Sequence, residues 1–155
     1  MRQLPFAGII LLNLLIGGLA QGQEMHLYGG ENHQVYLGCL TCERFQTNSI
    51  WNAFGEYGSS FSSTSIWNDL NIYGDPNKNY SPWNPLSTNP PKILNQHGKF
   101  LGYLTAIKNH KDRAVFPLAI QLVENHQKIA ANLGKWYQHL IVEKRTSILL
   151  DLDGK

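Results

Sequence analysis

Three tryptophans stand 16 residues apart, and each of Trp51, Trp67 and Trp83 has a serine two positions before it and an asparagine directly after. The longer echo runs from Phe45-Gln-Thr-Asn-Ser-Ile-Trp-Asn52 to Phe61-Ser-Ser-Thr-Ser-Ile-Trp-Asn68 and, degraded, to Asn77-Lys-Asn-Tyr-Ser-Pro-Trp-Asn84. Tyr57-Gly58 and Tyr73-Gly74 keep the same step. A unit this short cannot bury an indole alone, so the tryptophans of the three units of 45–84 are expected to meet in a shared core or against the rest of the domain. Pro82 in place of Ile50 and Ile66 suggests the local conformation, because proline suits a first helical position and serine the N-cap before it. The pattern therefore predicts three capped helical turns, with Gly55 and Gly58 allowing the reversals between them.

The same aromatics admit another use. Trp51, Trp67 and Trp83, with Tyr57 and Tyr73 and the neighbouring Asn and Ser residues, have the composition of a stacking platform for sugars. Packing is the leading reading, since a small domain needs its aromatic area inside.

On either side the periodicity changes to two. Gln34 to Leu37 reads as a strand running into Gly38, Lys92 to Leu94 as a second, Asn95-Gln-His-Gly98 as a turn, and Lys99 to Ile107 as a longer returning strand. From Ala119 to Ile141 apolar residues recur at three- and four-residue steps, an amphipathic helix with Pro117 in its first turn and Asn132 and Gly134 placed to bend or divide it. Ile148 to Leu152 reads either as a short terminal strand or as a frayed end. The expected fold is α+β, a small, mainly antiparallel sheet with a three-unit short helical-turn repeat and a C-terminal amphipathic helix.

The first residues have the order of a secretory leader. Arg2 supplies a positive start, Leu4 to Ile16 an apolar run, and Gly18-Leu19-Ala20 and Ala20-Gln21-Gly22 two cleavage frames. The expectation is a signal peptide over 1–22, cut after Ala20 or Gly22, and one small exported domain over 23–155, periplasmic or secreted. The apolar run is short for a spanning helix and carries Asn13, so no membrane span is expected after cleavage. Removing the leader takes away Arg2 alone and leaves a net charge near +1, which offers nothing to a nucleic acid. Charged residues make up 15% of the chain, against roughly 25% in ordinary domains, so the surface relies on neutral hydrogen bonding.

Cys39-Leu-Thr-Cys42 is the only cysteine pair. Four readings are open: a local disulfide, favoured by an oxidising compartment; two packed thiols; a thiol-redox site; and a metal site. A redox site wants a thiolate at a helix N-terminus, and turn-forming units follow Cys42 instead. A metal site wants further ligands, and His26, His33, His97, His110, His126 and His139 show no paired spacing that supplies them. Asp75, Asn77 and Asn79 start a calcium-loop pattern that Tyr80 and Leu86 break. No cofactor motif and no catalytic residue is read, for the mature chain has no nucleophile elbow, zincin pair or phosphate loop.

Tyr36-Leu-Gly-Cys39-Leu-Thr-Cys42, the Ser-Ile-Trp-Asn and Tyr-Gly-Ser repeats, Pro90-Pro-Lys-Ile93 and Gly102-Tyr-Leu-Thr105 together resemble a recurrent group of small exported bacterial proteins. The resemblance covers about 70 residues and excludes the C-terminal helix. It implies a bacterial periplasmic or secreted protein and carries over no catalytic residue. The function expected on all these grounds is a non-enzymatic extracytoplasmic binding or structural module, with a cell-envelope protein or a glycan as ligand class. The alternative is a small envelope enzyme acting through Cys39 and Cys42.

Overall fold

A computed structural model describes residues 22–147. Apart from Gly22, the expected leader lies outside these residues, as do the expected strand Ile148 to Leu152 and the Asp151-Leu-Asp-Gly154 segment.

The architecture is α+β. Four antiparallel strands, β1 (Met25–Gly29), β2 (Val35–Cys39), β3 (Lys92–Asn95) and β4 (Phe100–Tyr103), lie in the order β2-β1-β3-β4. The central strand β1 has no counterpart among the sequence expectations. It pairs with β2 in the register His26 to Cys39 and with β3 in the register Leu27 to Ile93. The register shifts by a bulge between Leu27 and Tyr28, and Leu37, Gly38 and Cys39 beside it are all buried, so both faces of the end of β2 are covered. Gly38 makes the bulge possible. Its φ is 108°, and a Cβ there would sit 2.7 Å from that of Tyr57 and 2.8 Å from Ile50.

The returning strand expected over Lys99 to Ile107 is shorter. It ends at Tyr103, after Gly102 at φ 123°. From there Leu104 N–H donates to Pro91 at 2.8 Å and Ala106 N–H to Pro82 at 2.8 Å, so the chain is anchored to neighbouring loops instead of a further strand.

Residues 44–89 are a run of turns, and this corrects the expected helical turns: no residue from Leu40 to Pro91 is helical. Starting at Ser49, the carbonyls of Ser49, Asn52, Gly55, Ser59, Ser62 and Ser65 accept in turn from the N–H of Asn52, Gly55, Ser59, Ser62, Ser65 and Asn68. The series continues through Asn71, Asp75, Lys78, Ser81 and Asn84 to Ser87. Most steps span three residues, and those from Gly55 to Ser59 and Asn71 to Asp75 span four. At the turn starts, serine or Asx oxygens accept from the N–H two residues on, as in Ser49 to Trp51 (3.2 Å), Asn68 to Leu70 (3.0 Å) and Ser81 to Trp83 (3.2 Å). These side chains cap single turns, and a fresh cap every three or four residues outcompetes helix propagation. Asp75 is one of them: its Oδ1 accepts from Asn77 N–H at 2.9 Å.

The C-terminal helix is divided where Asn132 and Gly134 predict. α1 (Pro117–Ala131) has Pro117 at its start and bends at Asn125, and α2 (Leu133–Tyr137) begins where Asn132 Oδ1 accepts from Lys135 N–H at 3.1 Å. A π-helical turn, Gln138–Val142, follows. Ala119, Leu122, Ile129, Leu133, Leu140 and Ile141 complete a core shared with the sheet (Leu27, Leu37, Ile93) and the turns (Ile50, Trp51, Ile66).

Candidate functional site

The aromatic candidates lie inside this core. Trp51, Trp67 and Trp83 are 0%, 6% and 4% exposed and Tyr73 is 8% exposed, while Tyr57 is half-buried with its ring 5.0 Å from Tyr36. The indoles also have their N–H groups satisfied: Trp51 donates to Leu40 (2.8 Å), Trp67 to Ile50 (2.7 Å) and Trp83 to Ile66 (2.8 Å). The rings form a continuous column: Tyr137 meets Trp51 edge-on (5.9 Å), Trp51 meets Trp67 at a tilt (6.3 Å), Trp67 stacks on Trp83 (5.6 Å), and Trp83 stacks on His126, 4.7 Å away and within 7° of parallel. A buried column closed at both ends offers no free face to a sugar.

Cys39 and Cys42 form a disulfide with Cα atoms 5.5 Å apart, and both residues are buried. Cys39 N–H donates to Asn48 at 2.7 Å and its carbonyl accepts from Ile50 at 3.1 Å, which fastens the disulfide loop to the first turns. Directly across β1 stands His26, the register partner of Cys39. Residues paired in this way place their side chains on one face of a sheet. Glu24 shares that face two positions away, its carboxylate 3.2 Å from His26 Nε2, and His26 Nδ1 meets the Tyr36 hydroxyl at 2.8 Å. Burial pushes the Tyr36 hydroxyl well above its ordinary value and keeps it protonated. One donor atom each from Glu24, His26 and Cys39 lies within 4.8 Å of the others.

The chain leaving the disulfide forms one wall of a cleft of about 440 Å³, the other wall being Gly134, Tyr137 and Gln138. Glu43 accepts from the Tyr137 hydroxyl at 2.8 Å and from Arg145 Nη1 at 2.7 Å, while Arg145 Nη2 donates to the Thr41 carbonyl at 2.6 Å. The Tyr137 hydrogen bond, followed by Arg145, holds the Glu43 carboxyl below the ordinary range, and burial followed by Glu43 pushes the Tyr137 hydroxyl up. Glu43 is thus committed to its neighbours. Arg44 is not: its guanidinium lies 4.8 Å over the Phe45 ring, its Nε is buried, and it has no hydrogen-bond partner among the described residues. Gly134 makes this pose possible, since a Cβ there would stand 2.5 to 2.8 Å from guanidinium atoms.

The cleft and the Glu24–His26–Cys39 cluster were not legible in the sequence. One joins residues more than 90 positions apart and the other depends on the pairing of β1. No protein-family model, curated protein or solved structure matches this chain.

Proposed function

We propose that the chain is an exported, non-enzymatic binding module whose ligand site is the cleft at Arg44. The single observation that carries this reading is a guanidinium whose buried Nε has no hydrogen-bond partner among the described residues, in a cleft whose one lining carboxylate, Glu43, is already engaged. Arginine in such a setting favours a carboxylate or another planar anion, because its fork of donors matches two oxygens at once. Phe45, 67% exposed, adds apolar area beside it, and Gln46 and Gln138 add neutral donors and acceptors. The ligand class is a carboxylate-bearing envelope component, an acidic glycan or a peptide C-terminus.

The 16-residue period of 45–84 is the scaffold in this reading. Three recurrences support it. Each indole donates to a backbone carbonyl earlier in the chain; the amides of Asn52, Asn68 and Asn84 donate to Gln46, Ser62 and Lys78; and a Cβ at Gly58 or Gly74 would collide with the carbonyl of Asn52 or Asn68 respectively. Export is supported by the leader-like order of the first residues and by the disulfide, which oxidising compartments favour. Among the described residues no helix is long and apolar enough to cross a membrane.

The test is titration with oligogalacturonate and with short peptides bearing free or amidated C-termini, read by heteronuclear NMR. Saturable shifts at Arg44 and Gln138 that need the free carboxylate, and disappear in Arg44→Gln, are expected. Equal shifts in wild type and Arg44→Gln, or none in either, would sink the reading. A thiol-redox enzyme is the second reading, favoured by His26 beside Cys39 and opposed by the burial of both cysteines. Catalysis of insulin disulfide reduction by a dithiol, lost in Cys39→Ser, would establish it.

A further inference from the structure

We propose that Glu24, His26, Cys39 and Cys42 form a zinc site when the two cysteines are reduced, so that the disulfide and the bound metal are alternative states of one cluster. The ligand set is a carboxylate, an imidazole and two thiolates, the donor types that zinc takes in closed four-coordinate sites. Zn–S distances near 2.3 Å and Zn–N and Zn–O distances near 2.1 Å set tetrahedral edges of about 3.3 to 3.8 Å. The Glu24 carboxylate and His26 Nε2 already stand 3.2 Å apart, and the Cys39 sulfur lies within 4.8 Å of both donors. The fourth donor, the Cys42 sulfur, is bonded to that of Cys39. Closing the shell requires the two sulfurs, once the S–S bond is broken, to part to about 3.8 Å, and the Cys42 sulfur, which stands outside the Glu24–His26–Cys39 group, to swing toward the other donors.

The surroundings favour this use over disulfide exchange. Cys39 and Cys42 are 0% and 3% exposed, which shields them from a protein dithiol and suits a closed metal site. His26 has a partner of the kind metal-bound histidines carry: with a metal on Nε2 the ring proton sits on Nδ1 and is donated to the Tyr36 hydroxyl 2.8 Å away, while without a metal Nε2–H can donate to Glu24 at 3.2 Å. Thr41 Oγ1 accepts from Met25 N–H at 3.0 Å, tying the start of β1 to the loop between the two cysteines.

The chemistry balances without an unnamed reagent. A chain entering an oxidising compartment brings both thiols reduced; zinc binding releases their two protons and forms two Zn–S bonds. From the disulfide state a small dithiol supplies two electrons and two protons, breaking the S–S bond and becoming a cyclic disulfide itself, after which the metal binds in the same way.

The experiment uses the mature chain reduced under argon with a phosphine, its fold followed by tryptophan fluorescence, and titrated with Co²⁺ and then Zn²⁺. One equivalent of Co²⁺ should bind with tetrahedral ligand-field bands and thiolate charge-transfer absorption, and one equivalent of Zn²⁺ should displace it. The oxidised protein should give neither signal. Tyr36→Phe should weaken binding about 10- to 100-fold, the usual effect of losing a partner that orients a ligand. His26→Ala and Glu24→Ala should also weaken it, and His97→Ala, on the exposed turn after β3, should leave it unchanged. If reduction alone loosens the fold, added zinc must restore the buried-indole emission. The proposal is overturned by reduced, natively emitting protein that binds no single equivalent, by His26→Ala and Glu24→Ala proteins that bind like the parent, by equal binding to the disulfide form, or by failure of zinc to restore a loosened fold.

Discussion

The indole Nε1 of Trp67 donates to the carbonyl of Ile50 at 2.7 Å, tying a side chain in the middle of the aromatic column to the backbone 17 residues earlier. Both groups are buried, so the bond and the ring depend on one another. Trp67→Ala should cost about 3 to 5 kcal/mol, much of the roughly 5 to 15 kcal/mol that holds a domain folded. Trp67→Phe keeps most of the apolar area but strands the Ile50 carbonyl, at about 1 to 3 kcal/mol. Urea unfolding monitored by circular dichroism separates the two. A Trp67→Ala midpoint equivalent to less than about 0.5 kcal/mol of loss would place that indole at the surface.

The turns before each indole make an independent prediction. Ser65 is fully buried and its Oγ accepts from Trp67 N–H at 3.2 Å, so Ser65→Ala should cost about 0.5 to 2 kcal/mol without removing any aromatic contact. Gly74→Ala should cost about 1 to 3 kcal/mol, because the new Cβ lands on the Asn68 carbonyl. Unchanged denaturation midpoints for both proteins would contradict this hydrogen-bonded geometry.

Cys39 and Cys42 are three residues apart, and so short a loop restrains the unfolded chain only modestly. On the chain-entropy relation the cross-link contributes about 2 kcal/mol. Unreduced native protein should resist alkylation and weigh two protons less than the dithiol form, and Cys39→Ser should melt lower by that modest amount. Complete alkylation without reductant would show that the bond does not form.

Glu43 gives stability a definite dependence on pH. Its carboxyl titrates lower in the folded protein than in the unfolded chain, so its contribution is fully present above the unfolded value, about 4.3, and is lost as pH falls through the folded one. Wild-type protein should therefore lose stability more steeply than Glu43→Gln as pH drops below about 4. Tyr137→Phe removes the largest cause of the shift and should raise the Glu43 titration midpoint seen by NMR. Identical pH profiles for wild type and Glu43→Gln would refute the linkage.

What the sequence determined by itself is the structure made from near neighbours. Pro117 opens α1, Asn132 caps α2, and Asn95 to Gly98 close the turn between β3 and β4, because each depends on backbone groups a few residues away. The buried serines before each indole were legible as caps for the same reason. Whether a helix follows is not legible there, because a cap accepting from the N–H two residues on has the same local appearance in a single turn and at a helix start. Only the tertiary structure decided the rest. Met25 to Gly29 becomes the central strand because β2 and β3 satisfy its two edges, and Lys99 to Ile107 is cut short because Leu104 and Ala106 find loop carbonyls instead of a strand. Strand pairing sets His26 against Cys39, and helix packing brings Tyr137 to Glu43 and Gly134 to Arg44. Such contacts join residues far apart in the chain, where no local propensity or spacing records them, and they exist only once burial has brought the elements together.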